Sequence, residues 1–305
     1  MGKNKTRLLQ NNTDLQAIKV TVEGLPILQV VTIDGVQHNE NLEFESKLAD
    51  LKSVDLPYAF YYGSAVVLNN EIHILGNGTN HYKFNGTSWV QVSTLPYSFY
   101  NGSAVVLNNE IHILGGNSNS TKHYKFNGTS WVQVSTLPYN FANRSAVVLN
   151  NEIHILGSDA SGSYTKHYKF NGTSWVQVST LPYDFIGGSA VVLNNEIHIL
   201  GSNGGNSINH YKFNGTSWTS VSTLPYSFYN GSAVVLNNEI HILGSGSGST
   251  DIRSTSHYKF NGASWTSVST LPYTFYGGSA VVLNNEIHIL GNGTNHYKFN
   301  GTSWV

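Results

Sequence analysis

The stretch that decides the fold is Leu95–Thr136, which reads LPYSFYNGSAVVLNNEIHILGGNSNSTKHYKFNGTSWVQVST. Six versions of this unit fill most of the 305-residue chain, and each contains one tryptophan. Their spacing of 39 to 47 residues defines the period, and the tryptophans are Trp89, Trp131, Trp175, Trp218, Trp265 and Trp304. A period in this range is typical of solenoids and propellers.

Each unit divides into four short β-prone runs. In the quoted copy, Ser103–Leu107 and Glu110–Leu114 are joined by Asn-Asn, and His123–Phe126 and Thr129–Val134 are joined by Asn-Gly. Two-residue links of this kind predict tight hairpins, because Asn and Gly tolerate positive φ. No segment of the unit has the 3.6-residue apolar period of a helix. Four strands per period therefore predict one propeller blade per unit.

The unit also resembles a kelch repeat. The kelch pattern is an apolar strand, a Gly-Gly pair, and then a Tyr and a Trp separated by six residues, as in Gly115-Gly116, Tyr124 and Trp131. The other five units keep the Tyr–Trp spacing but have Gly-Asn or Gly-Ser in place of Gly-Gly. The resemblance covers residues from about 56 to 305. It implies an all-β, six-bladed kelch-type β-propeller with four-stranded antiparallel blades.

The chain is expected to divide into an N-terminal arm, residues 1–45, and a propeller, residues 46–305. The last unit stops at Trp304-Val305, early in its fourth strand, so we expect the segment Ser46–Val54 to supply or extend that outer strand. Such a closure leaves no large open sheet edge.

The arm itself carries weaker signals. Thr13-Asp14 could cap a short helix over Leu15–Val22, and Ile27–Val36 is predicted to form a strand with an Asp-Gly turn. The stretch Thr6–Pro26 resembles N-terminal segments of tail-associated proteins in phages and prophages. This resemblance implies an attachment or homo-oligomerisation arm. It also implies a virion or cell-surface location; otherwise the expected location is cytoplasmic.

Composition narrows the function classes. The formal net charge is −1 and only 11% of residues are charged, so there is no basic surface that would indicate nucleic-acid binding. The absence of cysteine excludes disulfides and thiolate catalysis. It also excludes the Cys–Tyr crosslink of radical-copper oxidases. No apolar run is long enough to predict a membrane span.

Titratable side chains recur in every unit rather than at one place. Two histidines per unit raise the hypothesis of a metal site, but both lie within blade strands, so we favour hydrogen-bonded histidines packed between blades. One Glu and one Lys per unit start or occupy neighbouring strands, which predicts cross-strand ion pairs. A catalytic site needs one asymmetric constellation. We therefore predict no catalytic residues, no metal and no cofactor.

The six units differ mainly in two places. The core SAVVLNNEIHILG is identical in all six, whereas the connector before the first strand and the loop between strands two and three vary. In a four-stranded meander both variable segments lie on one face of the disc, which predicts a binding surface there. The candidate ligand-binding residues are Tyr61, Tyr62, Tyr100, Asn101, Asn143, Arg144, Asp184, Tyr229, Asn230 and Tyr276.

These patterns favour a non-enzymatic recognition propeller that binds a glycan or a protein on this face. Two alternatives stay open. One is a kelch-type enzyme that uses the mouth of the central channel, and the other is a purely structural repeat module.

Overall fold

The computed structural model describes residues 54–117, 120–143, 145–157, 164–202, 207–244 and 255–305, together with four short strands between residues 18 and 37. The chain divides into two compact units, residues 1–53 and 54–305. No helix in the described part is long and apolar enough to cross a membrane.

Two small antiparallel ladders are present in the first unit. Strand β1 (Ile18–Val20) pairs with β2 (Leu28–Val30), and β3 (Thr32–Ile33) pairs with β4 (Val36–Gln37). The helix predicted over Leu15–Val22 is therefore wrong at β1, where β-branched Ile18 and Val20 favour the extended backbone. The strand predicted from Ile27 is present. Residues 38–53 lie outside the described part, so the predicted boundary at residue 46 stays a prediction.

Residues 54–305 form six antiparallel sheets, one per sequence unit, which confirms the predicted six-bladed propeller. Within each sheet the strands follow chain order. The first three blades are β5 (Ser64–Leu68), β6 (Glu71–Gly76), β7 (Asn80–Phe84) and β8 (Trp89–Gln91); β9 (Ser103–Leu107), β10 (Glu110–Leu114), β11 (Lys122–Phe126) and β12 (Trp131–Thr136); β13 (Ser145–Leu149), β14 (Glu152–Leu156), β15 (Lys166–Phe170) and β16 (Trp175–Thr180). The last three are β17 (Ser189–Leu193), β18 (Glu196–Leu200), β19 (His210–Phe213) and β20 (Trp218–Ser220); β21 (Ser232–Leu236), β22 (Glu239–Leu243), β23 (His257–Phe260) and β24 (Trp265–Ser267); β25 (Ser279–Leu283), β26 (Glu286–Leu290) and β27 (His296–Phe299).

The hairpins have the backbone geometry that their sequences predict. In the first blade, Asn69 and Asn70 link β5 to β6 with φ values of 52° and 63°, as a type I′ turn requires. In the second hairpin, Asn85 Oδ1 accepts hydrogen bonds from the backbone N–H of Thr87 and Ser88 at 3.0 and 2.9 Å. These local bonds fix the turn without help from neighbouring blades.

The core lies between blades rather than inside any single sheet. Val105 and Leu107 of the second blade pack with Ile153 and Ile155 of the third, and Phe141, in the connector between these blades, is fully buried in the same cluster. The second strand of each blade is accordingly buried on both sides. Because every blade depends on its neighbours for this burial, the ring has to close for all six to be stable.

Residues from the beginning and the end of the repeat region meet in the sixth blade. Trp304 forms an isolated bridge with Phe299, and Val305 exchanges two backbone hydrogen bonds with Lys298. Leu56 N–H donates to the carbonyl of Thr294 at 2.8 Å. Leu95 makes the same bond to Thr79 in the first blade. The hydrogen bond that follows the fourth strand of the first blade is therefore repeated where the two ends of the repeat region meet.

The inner strands are joined around the axis by serine side chains. Ser64 Oγ accepts a hydrogen bond from Ala104 N–H of the next blade at 3.0 Å. Every other inner strand repeats this bond at 3.0 to 3.1 Å, and Ser279 closes the ring by accepting from Ala65 N–H. These bonds satisfy backbone N–H groups on the free edge of each inner strand.

The glycine after the second strand is the half of the kelch Gly-Gly pair that every unit keeps. At Gly201 φ is +68°, and a Cβ would overlap the carbonyl oxygen of Phe228 in the next connector. The position after it accommodates a side chain, which hydrogen-bonds to the connector before the first strand of the same blade. Asn77 Nδ2 donates to the Ala59 carbonyl at 2.6 Å, and Asn292 Nδ2 donates to the Thr274 carbonyl at 2.6 Å. In the second blade, which has Gly-Gly, Asn117 makes the equivalent bond one residue later, to the Ser98 carbonyl at 2.8 Å.

We expect Gly201→Ala to lower the free energy of unfolding by roughly 3 kcal/mol or more, because it combines left-handed strain with overlap against backbone. The matched control is Gly215→Ala, in a hairpin where φ is +98° but no atom lies within 4 Å of the added Cβ. That change should cost only about 1–2 kcal/mol from strain. Urea unfolding of both variants measures the difference, and equal losses would contradict the close approach at Gly201.

Candidate functional site

Two buried histidines form a hydrogen-bonded pair in every blade. In the second blade, His112 Nδ1 lies 2.8 Å from His123 Nε2, and His123 Nδ1 lies 3.2 Å from Ser135 Oγ. The His123 ring packs edge-on against Phe170 and Trp175 of the next blade. The other pairs, at 2.8 to 2.9 Å, are His73–His81, His154–His167, His198–His210, His241–His257 and His288–His296.

These contacts place the histidines between blades, as predicted. One ring of each pair has to donate and the other to accept, so the two rings of a pair cannot both be protonated. In the fourth and fifth blades the Nδ1 atoms of His210 and His257 have no hydrogen-bond partner. Among the residues that the structure describes, no group of three or more His, Asp or Glu side chains is placed to hold a metal ion.

Burial lowers the pKa of each of the twelve paired blade histidines from the ordinary 6.5 to about 3 or about 4. Loss of hydration is the largest cause, because it disfavours the charged ring. The strand glutamate opposes the shift at His73 and the strand lysine adds to it.

The predicted Glu–Lys pairs are present in all six blades. Their Nζ–Oε2 distances are 2.8 to 3.2 Å, and the pairs are Glu71–Lys83, Glu110–Lys125, Glu152–Lys169, Glu196–Lys212, Glu239–Lys259 and Glu286–Lys298. The side chains are partly exposed, so each pair contributes at most about 1 kcal/mol. They are cross-strand pairs repeated with the fold and do not distinguish one blade from another.

The central channel is lined by valines from the six inner strands. It has a volume of about 380 Å³, and its lining residues are Val66, Val67, Val105, Val106, Val147, Val148, Val191, Val192, Val234, Val235, Val281 and Val282. Polar groups on the axis must therefore lie at the two mouths of the channel, one bordered by the connectors and the other by the Asn-Asn hairpins.

Six connector residues form a closed ring of backbone hydrogen bonds at the mouth bordered by the connectors. Each N–H donates to the carbonyl oxygen of the equivalent residue in the preceding blade, at 2.7 to 3.0 Å. The ring residues are Tyr62, Asn101, Asn143, Gly187, Asn230 and Gly277. All six have left-handed backbones, with φ between 52° and 65°. Asn and Gly adopt this conformation most readily, which explains five of the six.

Tyr62 is the exception in this ring. A bulky aromatic residue in the left-handed region is strained, and here its side chain lies among other tyrosines. The Tyr62 ring centroid is 5.2 Å from that of Tyr100 and 6.0 Å from that of Tyr276. Loss of hydration and a hydrogen bond with Tyr276 raise the pKa of the Tyr62 phenol.

Two glycines of the ring make room for these tyrosines. A Cβ at Gly277 would lie 2.8 Å from the Tyr62 ring, and a Cβ at Gly187 would overlap the Tyr229 ring. Asn230 Nδ2 also donates to the Tyr276 hydroxyl at 3.0 Å. Side chains of neighbouring connectors are thus fitted to one another across blade boundaries.

The structure brings most of the predicted site residues together around the axis. Tyr62, Asn101, Asn143 and Asn230 belong to the ring, and Tyr100, Tyr229 and Tyr276 stand immediately before ring positions. Tyr61 also stands immediately before a ring position and is exposed, whereas Asp184 is exposed three residues before the ring residue Gly187. Arg144 lies outside the described residues, as do much of the variable loops after β14, β18 and β22.

Sequence reasoning missed Gly187 and Gly277. The available signal was the recurrence of Asn or Gly at one connector position in five units, which is typical of a positive φ. It also left unexplained the glycine that follows five of the ring residues. At Gly63 a Cβ would overlap the Phe60 ring and approach the Leu75 carbonyl oxygen at 2.6 Å.

The fold and this site define a six-bladed β-propeller with an asymmetric connector face. No protein-family model matches the chain, and no curated protein matches it. Among solved structures it is similar to YjhT, with a TM-score of 0.71 and 16% sequence identity over 82% of this chain and 98% of that chain. At this identity the similarity shows the fold alone, and the kelch resemblance stays a prediction.

We expect the protein to lose stability as the pH falls from about 6.5 to about 4. The histidine pKa is about 3 or 4 in the folded state and about 6.5 in the unfolded state, so unfolding takes up protons in this range. Each histidine costs roughly 2 kcal/mol at pH 5, and twelve together outweigh a stability of about 5–15 kcal/mol.

Thermal unfolding followed by circular dichroism between pH 4.5 and 8.5 tests this expectation. The Tm should be level above pH 7 and fall steeply below pH 6.5, with several protons taken up on unfolding at pH 5.5. A Tm that is constant down to pH 4.5 would contradict the buried neutral pairs.

We expect Tyr62→Asn to leave the free energy of unfolding unchanged or to raise it by about 1 kcal/mol, because relief of backbone strain offsets the lost ring contacts. The reciprocal change Asn101→Tyr should lower it by about 1–2 kcal/mol. Denaturant unfolding measures both. A loss above about 2 kcal/mol in Tyr62→Asn would instead make Tyr62 a packing residue.

Proposed function

We propose that this protein is a non-enzymatic recognition propeller that binds a glycan or a protein ligand on its connector face. The observation that carries the proposal is Tyr62, a strained aromatic residue in a ring whose other members are all Asn or Gly. Strained backbone persists where the surroundings enforce it, and it concentrates at functional sites.

The distribution of differences among the units supports the same face. The strands and hairpins that build the scaffold are nearly identical in all six units. The connectors differ, and some differences depend on each other across blades, as Gly277 does with the Tyr62 ring and Gly187 with the Tyr229 ring. Unconstrained connectors would have no reason to keep such fitted pairs.

The chemistry of the face suits recognition. Tyrosine rings give large contact area at low conformational cost, and Asn side chains with exposed backbone give adaptable hydrogen bonds. Tyr61 and Tyr100 have 38% and 37% of their surface exposed, and Tyr276 is held by Asn230. Tyr97, by contrast, is buried and donates to the Gly115 carbonyl at 2.6 Å, so it belongs to the scaffold.

The two alternatives predict different things. An enzyme at the channel mouth needs an acid, a base or a nucleophile there, and the described channel lining consists of valines. A purely structural module has no use for a strained aromatic residue in the axial ring. Both readings therefore leave the features around Tyr62 unexplained.

The resemblance of Thr6–Pro26 extends the proposal to the arm. Residues 1–45 would attach or oligomerise the propeller, on a phage tail or at a cell surface. The support for this part is the sequence resemblance alone.

A glycan array tests recognition with variants that the repeats themselves justify. In Tyr100→Ala/Tyr229→Ile, each new residue already stands at the equivalent position of another unit, as Ala142 and Ile186 do. The fold should therefore tolerate the changes. We expect the wild type to bind a small set of glycans and the double variant to bind them at least tenfold more weakly.

Thr129→Ala serves as the matched control on the opposite face, because the fifth unit has Ala263 at that position. Its binding should equal that of the wild type. Undiminished binding by the double variant would place recognition away from the connectors. Failure of the wild type to bind any glycan would exclude the glycan version.

A further inference from the structure

A shallow cup of about 120 Å³ lies on the propeller axis at the connector ring. Its side chains are those of Tyr62, Asn101, Asn143 and Asn230, and the rest of its lining is glycine. Several of these glycines are imposed by packing, since a Cβ at Gly102 would overlap the Phe99 ring. The floor of the cup is thus bare backbone. Its six ring N–H groups are used within the ring, so the backbone offers a ligand mainly carbonyl oxygens, each of which has a second lone pair.

The tyrosines cover only one side of this cup. Tyr100, Tyr62 and Tyr276 come from three consecutive blades and contact one another in that order. The third and fourth blades have Ala142 and Ile186 at the connector position that Tyr100 and Tyr276 occupy in their own blades. The rim is therefore lined by tyrosine rings on one side and by smaller side chains on the other. A ligand at the axis contacts the tyrosine crescent (Tyr100, Tyr62 and Tyr276) from one direction.

The crescent is held in place before any ligand arrives. The Tyr276 hydroxyl accepts a hydrogen bond from Asn230 at 3.0 Å, and the Tyr276 ring packs edge-on against the Tyr62 ring, with centroids 6.0 Å apart. The Tyr62 ring lies over Gly277, where any side chain would displace it. Rings fixed in this way bind with little loss of conformational freedom.

The described lining of the cup carries no acidic or basic side chain, and Asp184, the exposed carboxylate of the fourth connector, does not line it. Arg144, which follows the ring residue Asn143 at the sequence position of Gly63 and Gly102, lies outside the described residues. A peptide needs an extended groove or sheet edge, whereas this space holds one ring-sized group.

We propose that the axial cup binds a single pyranose, whose C–H face stacks on Tyr62 while its hydroxyls donate to backbone carbonyl oxygens and bond the asparagines of the cup. Such a ligand has the apolar face and polar edge that the cup presents in complementary positions. The proposal rests on the recognition function argued above and names the ligand class and the position of its subsite.

Saturation-transfer difference NMR on the full chain tests it, with methyl β-D-galactopyranoside and methyl β-D-glucopyranoside as probes. Two variants change the stacking surface within the repeat's own repertoire. Tyr62→Asn introduces the residue found at three other ring positions. Gly277→Asn keeps a residue that tolerates positive φ but displaces the Tyr62 ring. Thr129→Ala is again the control.

We expect wild type and control to transfer saturation to the ring C–H protons of at least one glycoside, and both variants to do so at least tenfold less. Equal transfer in Tyr62→Asn overturns the proposal. If the chain binds array glycans but neither glycoside contacts it, the axial subsite is wrong while recognition stands. If neither assay detects binding, the glycan version of the proposed function fails with it.

Discussion

The structure depends on how closely the six inner strands approach one another around the axis. At that distance the free backbone edges of the strands cannot be left unpaired. The chain meets this constraint with two closed rings, one from serine hydroxyls to alanine N–H groups and one from connector backbone to connector backbone. Both rings require all six blades, so closure and inner-strand geometry are a single cooperative feature.

This constraint decides which residues can vary. Ser64 and its equivalents cannot change without orphaning an N–H group of the next blade. The ring positions favour Asn or Gly because of their left-handed backbone. Part of the connector variation that suggested a binding face is therefore a choice between two residues that the ring accepts equally. The connector features that this choice does not explain are the tyrosines, the glycines beneath them, and Tyr62 in particular.

Much of the fold follows from local patterns. Four β-prone runs, Asn-Asn and Asn-Gly links and a period marked by Trp predict the blades and hairpins, because each signal acts within a few residues. Pairing of the two histidines within each blade and Glu–Lys pairing follow from strand register in the same way. The helix expected over Leu15–Val22 failed because capping residues outweighed β-branched Ile18 and Val20 in the prediction. The axial ring could not be predicted, since it joins residues about forty positions apart whose meeting depends on blade geometry. The fit between Gly277 and Tyr62 spans opposite ends of the repeat region, and no sequence spacing indicates it.

Stability alone accounts for the strands but not for the mouth of the channel. A sixfold ring optimised only for closure would have Asn or Gly at every ring position, since both enter the left-handed region at little cost. The chain has such residues at five positions and accepts strain at the sixth, where the side chain contacts two other tyrosines and requires a bare glycine in the adjacent blade. Local strain of this kind, where the symmetry of the ring is broken, supports the proposal that a ligand binds at the axis. Broken symmetry at the axis, rather than variation around the face as a whole, is therefore the stronger argument for where this propeller acts.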